Sequence, residues 1–211
     1  MKKTEMTVKE KILDTAISLF HTYGYHGTTI RAIAGAAKVN SANISYYFHG
    51  KQGLLEACFV RFFEPYLACL EEEGPASETA DERLKRAVYN ALHFQSDHHL
   101  LARFVWREIT IDSQIVREIT STYLMKERYL LKKLVMEGLQ FQPHHRAANF
   151  LMIQLRSMLA MPYLNSQYLR EVWGMQPEEP YFADKYAHTI ADWLDSVKQM
   201  PSAPPLLLKK A

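Results

Sequence analysis

Apolar residues recur at three- and four-residue steps along nearly the whole chain, and no segment sustains the apolar/polar alternation of a half-buried strand. That periodicity predicts an all-α fold. The first three helical segments are short and the rest are long, so the chain divides near residue 50 into a small head and a larger body. Thr7 caps a first helix through Val8, Ile12, Leu13, Ala16, Ile17 and Phe20, with Gly24 and Gly27 at its end. Thr28 caps a second through Ile30, Ile33, Ala34 and Ala37, and Asn40 or Ser41 caps a third through Ile44, Tyr47 and Phe48. A fourth starts near Lys51 and runs to about Glu73, bent at Pro65. Residues 74–79, GPASET, read as a linker. Further helices fall near 79–96, 98–111, 113–140 and 144–160, with Pro162 interrupting before 163–173 and a last helix over 180–199. The total is about nine helices by periodicity. Residues 1–50 then form the head, 51–200 the body and 201–211 a proline-rich flexible tail.

Residues 28–55, TTIRAIAGAAKVNSANISYYFHGKQGLL, carry the functional signal. Two short helices joined by a three- to four-residue turn make a helix-turn-helix. The second has Ile44, Tyr47 and Phe48 on its inward face. At ~100° per residue Ala42 and Tyr46 point away from Ile44, with Asn43 and Ser45 on the flanks. That outward face is small and polar, and it fits the ~12 Å major groove. Charge agrees. Residues 1–53 hold seven Lys/Arg against three acids, a net of +4, while the other 158 residues hold 18 against 20. A basic head on a near-neutral body suits a polyanion.

This segment resembles the DNA-binding head of the TetR family of bacterial regulators. The similarity lies in Phe20, Gly24, Tyr25, Thr28 and Thr29, then Ile30, Ile33 and Ala34, then Tyr47, Phe48, Lys51 and Leu54, over roughly residues 8–55. It implies an N-terminal helix-turn-helix head, a larger helical bundle that dimerises and takes an effector or partner, and transcriptional regulation, most often repression. Two positions depart from the family pattern. Lys38 stands where glycine is usual, so either Lys38 is left-handed or the turn differs. Ser45 stands where tyrosine is usual, which shifts weight to Tyr46 and Tyr47. The string VNSANISYYFHGKQGLLE is also similar to the head of the RefZ-like group within this family, which implies action on the division protein FtsZ.

The roles expected in the head follow from phosphate contacts that position and base contacts that specify. Thr28 and Thr29, at a helix N-terminus, and Tyr47 and Lys51, beyond the third helix, are the phosphate candidates. Ser41, Ala42, Asn43 and Tyr46 are the base-reading candidates. Asn43 is otherwise a cap-region residue, and Tyr46 otherwise packs on Phe48. The expected partners are double-stranded DNA, a second copy of the chain, and a small apolar effector or a protein, FtsZ if RefZ-like.

In the body, the helices near 144–173 and 180–199 are expected to pair with their symmetry mates through Phe182, Tyr186, Ile190, Trp193 and Leu194. An effector cavity would be lined by Phe62, Tyr66, Phe104, Met125, Leu155 and Met158. Arg103 and Arg107 read either as a solvated face or as a partner or effector-carboxylate site. On the partner reading, Arg107→Ala should leave operator affinity within about threefold.

Other chemistries find no pattern. GxSxG, P-loop and GxGxxG sequences are absent, so no enzyme is expected. His98-His99 and His144-His145 lack metal-ligand spacing, and neither a metal nor another cofactor is expected. Cys58 and Cys69 are too few for a disulfide framework. No apolar run approaches the ~20 residues of a membrane span. The expected location is the cytoplasm, in association with the nucleoid.

Overall fold

The computed structural model describes residues 6–111, 113–140 and 146–199, and for 146–148 the backbone alone. The described residues form ten α-helices and no strand. They are α1 (Val8–Gly27), α2 (Ile30–Ala37), α3 (Ser41–Phe48), α4 (Lys51–Glu71), α5 (Ala80–Asp97), α6 (His99–Ile111), α7 (Gln114–Gly138), α8 (Arg146–Leu164), α9 (Ser166–Trp173) and α10 (Pro180–Gln199). The expected tail and the His144-His145 pair lie outside the described residues.

Local chemistry sets most of the ends. Thr7 and Glu10 form a capping box on α1, and Thr79 and Glu82 form another on α5. Asn40 caps α3 by accepting from the Ala42 N–H at 2.9 Å. The cap of α2 is Thr29, one residue later than the sequence suggested. Pro162 does not interrupt its helix, contrary to expectation, and α8 runs on to Leu164. A proline forfeits one helical hydrogen bond. The turn around it is held by buried Ala160 and Tyr163, whose hydroxyl donates to the Leu92 carbonyl at 2.7 Å.

The turn between α2 and α3 is closed by two bonds. Val39 N–H donates to Ala34 O at 3.0 Å and Lys38 N–H to Gly35 O at 3.2 Å. This pairing ends a helix when the residue between is left-handed, and Lys38 has φ 54° and ψ 48°. A side chain there costs roughly 1–2 kcal/mol that glycine would not. Lys38→Gly is therefore expected to raise stability by about 1 kcal/mol in urea unfolding; a loss of that size would mean the turn is not the strained one described.

The body is built around aromatic rings of α4 and α6. Phe62 stacks on Tyr66 at 5.3 Å and meets Trp106 edge-on at 5.2 Å, while Phe63 stacks on Tyr123 of α7 at 5.1 Å. The polar tips in this core are paired. Trp106 Nε1 donates to Gln95 Oε1 at 2.6 Å, and Tyr66 donates to Glu127 Oε1 at 2.9 Å. Helix α10 lies along α5 and buries Ile190 and Leu194 completely. Those two residues thus belong to the monomer core, and the expected pairing through them is corrected. Phe182, Tyr186 and Trp193 remain half-buried.

Candidate nucleic-acid interface

Helix α3 stands on the head through two fully sequestered anchors, Ile44 and Phe48. Its other side is open. Ser41, Ala42, Ser45, Tyr46 and Tyr47 are exposed and Asn43 is half-buried. Tyr46 is 77 % exposed and packs edge-on against Tyr47 at 5.0 Å rather than on Phe48. Asn40, not Asn43, supplies the cap, so the Asn43 amide is not consumed as one. The outward face is therefore a hydroxyl, a methyl, an amide and two phenols, the groups that meet base edges and thymine methyls.

The flanking phosphate candidates differ. Thr29 is exposed at the start of α2, where first-turn N–H groups favour an anion. Thr28 is 2 % exposed, and its hydroxyl donates inward to Gly24 O at 2.9 Å and Leu19 O at 3.2 Å. Its N–H goes to Tyr25 O. Thr28 thus holds the end of α1 and offers nothing to a phosphate, which corrects that expectation. Lys51 begins α4, behind Gly50 (φ 107°), whose backbone leaves the helix N-terminus without a side-chain cap. The Lys51 ammonium lies 4.4 Å from the centre of the Tyr25 ring, and burial lowers its pKa. Two turns of backbone N–H, at α2 and α4, therefore bracket α3.

Gly53 was not singled out in the sequence. A Cβ there would fall on the carbonyl oxygen of Phe48, the last residue of α3. Only glycine lets α4 start this close to the end of α3. The signal available was a lone glycine in a first helical turn, which has no single meaning.

The head is tied to the body at a bend in α1. Gly24 has φ 74° and ψ 167°, which breaks the helical bond run around it. Arg107 of α6 fills the gap. Its Nη2 donates to Phe20 O at 2.7 Å and its Nη1 to His21 O at 3.0 Å. Phe20 stacks on Phe104 of α6 at 5.3 Å. Arg107 is thus part of the junction and not a free surface arginine, and its loss is expected to disturb the head rather than spare operator binding. Arg103 is half-buried beside it. Burial, Arg170 and Arg107 all lower its pKa. His21 is pushed down to about 4 by burial first, then by Arg103 and Arg107.

The body residues expected to line a cavity do not gather around one. Phe62, Tyr66, Phe104 and Leu155 are completely buried in packed core, and Met125 is 60 % exposed on the outside of α7. Met158 is half-buried against the core. An apolar face at helical spacing is the same signal for a packed wall and an empty one. A cleft of about 450 Å³ opens instead between α7 and α8. Leu124, Glu127, Arg128, Leu131, Met152 and Arg156 are among its lining residues. Among the described residues no cluster of His, Cys, Asp and Glu could hold a metal ion, and no helix is long and apolar enough to cross a membrane.

Comparison with known proteins agrees with this geometry. The family model described as "Bacterial regulatory proteins, tetR family" matches residues 12–58, which span α1 to the first turns of α4. The chain is 43 % identical over 202 residues to the "Probable HTH-type transcriptional regulator YttP" of Bacillus subtilis, covering 92 % of this chain and 95 % of that one. A solved tetR-family regulatory protein from Rhodococcus RHA1 superposes with a TM-score of 0.71 at 18 % identity, covering 89 % of this chain and 97 % of that one. FadR from Bacillus subtilis, solved in complex with stearoyl-CoA, superposes with a TM-score of 0.67 at 17 % identity, over 86 % and 96 % of the two chains. With the helix-turn-helix, the left-handed turn before α3 and a full-length relative in agreement, the chain belongs to the TetR family of DNA-binding transcriptional regulators.

Proposed function

We propose that the chain acts as a homodimer that reads a palindromic operator with α3 and is released from it by a small effector bound in the body. The exposed, small and polar face of α3, bracketed by the N-termini of α2 and α4, carries the reading. Ser41, Ala42, Asn43 and Tyr46 contact base edges, and Thr29, Tyr47 and Lys51 contact phosphates. A dimer is supported by the apolar residues left outside the monomer core. On α8 these are Phe150 (69 % exposed) and Met161, and on α10 Tyr181 with half-buried Phe182, Tyr186 and Trp193. A patch of this kind is normally covered, and a two-fold pairing of α8 and α10 with their symmetry mates covers both rows. A two-fold then places half-sites ~34–36 Å apart or at a multiple of that distance.

Binding measured over a salt series tests this. Lys51→Ala is expected to weaken all duplexes alike and to lower the salt slope by about 1. Asn43→Ala is expected to change the preferred base at one position of each half-site. Identical affinity and salt slope for Lys51→Ala and the parent would remove Lys51 from the interface. A bound chain works on the nucleoid. Action on FtsZ rests on the similarity of one segment of the head, and Arg107, one of the two arginines expected to serve it, is spent in the junction.

A further inference from the structure

The cleft between α7 and α8 combines an apolar floor with an unbalanced charge. Leu124 and Leu131 of α7 face Met152 and Ile153 of α8 across it. Three charged side chains line the same space: Glu127, Arg128 and Arg156. Glu127 is 3 % exposed. One of its oxygens accepts from Tyr66, and the other lies 3.6 Å from Arg156 Nε. The Arg156 guanidinium is also 4.9 Å from the Trp106 ring centre. Arg156 therefore neutralises Glu127 through one edge and keeps further N–H groups of its five for another acceptor. Arg128 is exposed, and no ion pair is formed by it among the described residues. The cleft thus holds one net positive charge over an apolar floor.

We propose that this cleft binds an amphipathic anion, with a linear apolar chain along Leu124, Leu131, Met152 and Ile153 and its anionic end on Arg128 and Arg156. The assignment rests on the reading of the body as an effector domain only for its consequence, operator release; binding itself stands alone. A cationic amphiphile is disfavoured, because its head would meet both arginines while Glu127 is already paired. A neutral one would leave the arginines unused. The volume of about 450 Å³ falls in the ~300–1,000 Å³ range of small-molecule sites. The aromatic interior around Phe62 and Trp106 is filled, so a ligand of this size enters the cleft without repacking the core.

Calorimetry on the full chain without DNA, using dodecanoate, dodecanol and dodecyltrimethylammonium below their aggregation concentrations, reads the charge preference. Dodecanoate is expected to bind saturably, and the other two at least tenfold more weakly. Arg128→Gln, on an exposed residue that leaves the core intact, is expected to lower dodecanoate affinity about tenfold and to leave dodecanol binding unchanged. Ile153→Trp, at a 61 % exposed position, is expected to block all three. Equal binding of the three probes, tighter binding of the cation, or binding of dodecanoate that neither variant changes would overturn the proposal. Dodecanoate that binds as expected but leaves an operator duplex bound supports the cleft and refutes effector control by it. Dodecanoate that does not bind refutes the cleft assignment and leaves operator recognition by α3 standing.

Discussion

Gly53→Ala is expected to destabilise the head by about 3 kcal/mol, the upper end of what forced overpacking costs, and to lower operator affinity about a hundredfold. The added methyl has no room. It meets the carbonyl of Phe48, which is backbone and cannot swing away as a side chain would. Relief requires α3 and the start of α4 to separate. Both Phe48 and Lys51 sit at that seam, so the proposed base-reading face and the proposed phosphate contact move together. Loss of one or two base contacts at ~1–3 kcal/mol each accounts for the affinity change. Gly35→Ala is the matched control. Its Cβ meets nothing within 4 Å, and it lies exposed in α2. That substitution is expected to be neutral or stabilising by up to ~1 kcal/mol. Urea unfolding with fluorescence anisotropy on a labelled duplex checks both; parity between the two variants would show that the seam tolerates a side chain.

Arg107→Ala is expected to be the other severe substitution. It removes two bonds from a charged donor, each worth ~1.5–3 kcal/mol. The carbonyls of Phe20 and His21 are left at a bend in α1 where the regular ladder is broken. A total loss of about 3 kcal/mol is expected by that measure, since water repairs part of it at this half-buried position. Head and body then separate more easily, so operator affinity falls and no longer responds to anything bound in the body. Arg107→Lys keeps the charge but reaches only one carbonyl at a time, and an intermediate result is expected. If Arg107→Ala unfolds with the parent's urea midpoint, the junction is held by the Phe20–Phe104 stack alone.

The head was legible from residue order because its features are local. Residue order narrows the cap of α3 to Asn40 or Ser41 and the turn to a left-handed Lys38 or a different turn, and the structure takes the first of each pair. Each of these is settled within a few residues. What failed to show was which element covers a given face. Ile190 and Leu194 carry the spacing of an interface helix, and only the position of α5 makes them core. Phe62, Tyr66, Phe104 and Leu155 could wall a cavity or fill it, and neighbouring rings fill it. Arg107 reads as a surface arginine until α6 is brought against the bend in α1. Thr28 and Thr29 are both cap residues by type, and a hydroxyl turned toward Leu19 and Gly24 separates them.

The bend at Gly24 also governs which length changes the chain tolerates. Carbonyls 19, 20, 21, 24 and 25 are each taken by a donor at a fixed place, either Thr28 or Arg107. A residue inserted or deleted between His21 and Thr28 turns Thr28 by about 100° relative to the earlier carbonyls, so its hydroxyl loses Leu19 while Arg107 still holds Phe20 and His21. The segment is a ruler between head and body. The stretch between α4 and α5, residues 72–79, is a surface connection held at its two ends by Arg86, through Glu72 and Glu78, so insertions between those two residues are better accommodated there. Variation in length among functional descendants of this chain is therefore expected in that stretch and not in the eight residues that follow Phe20.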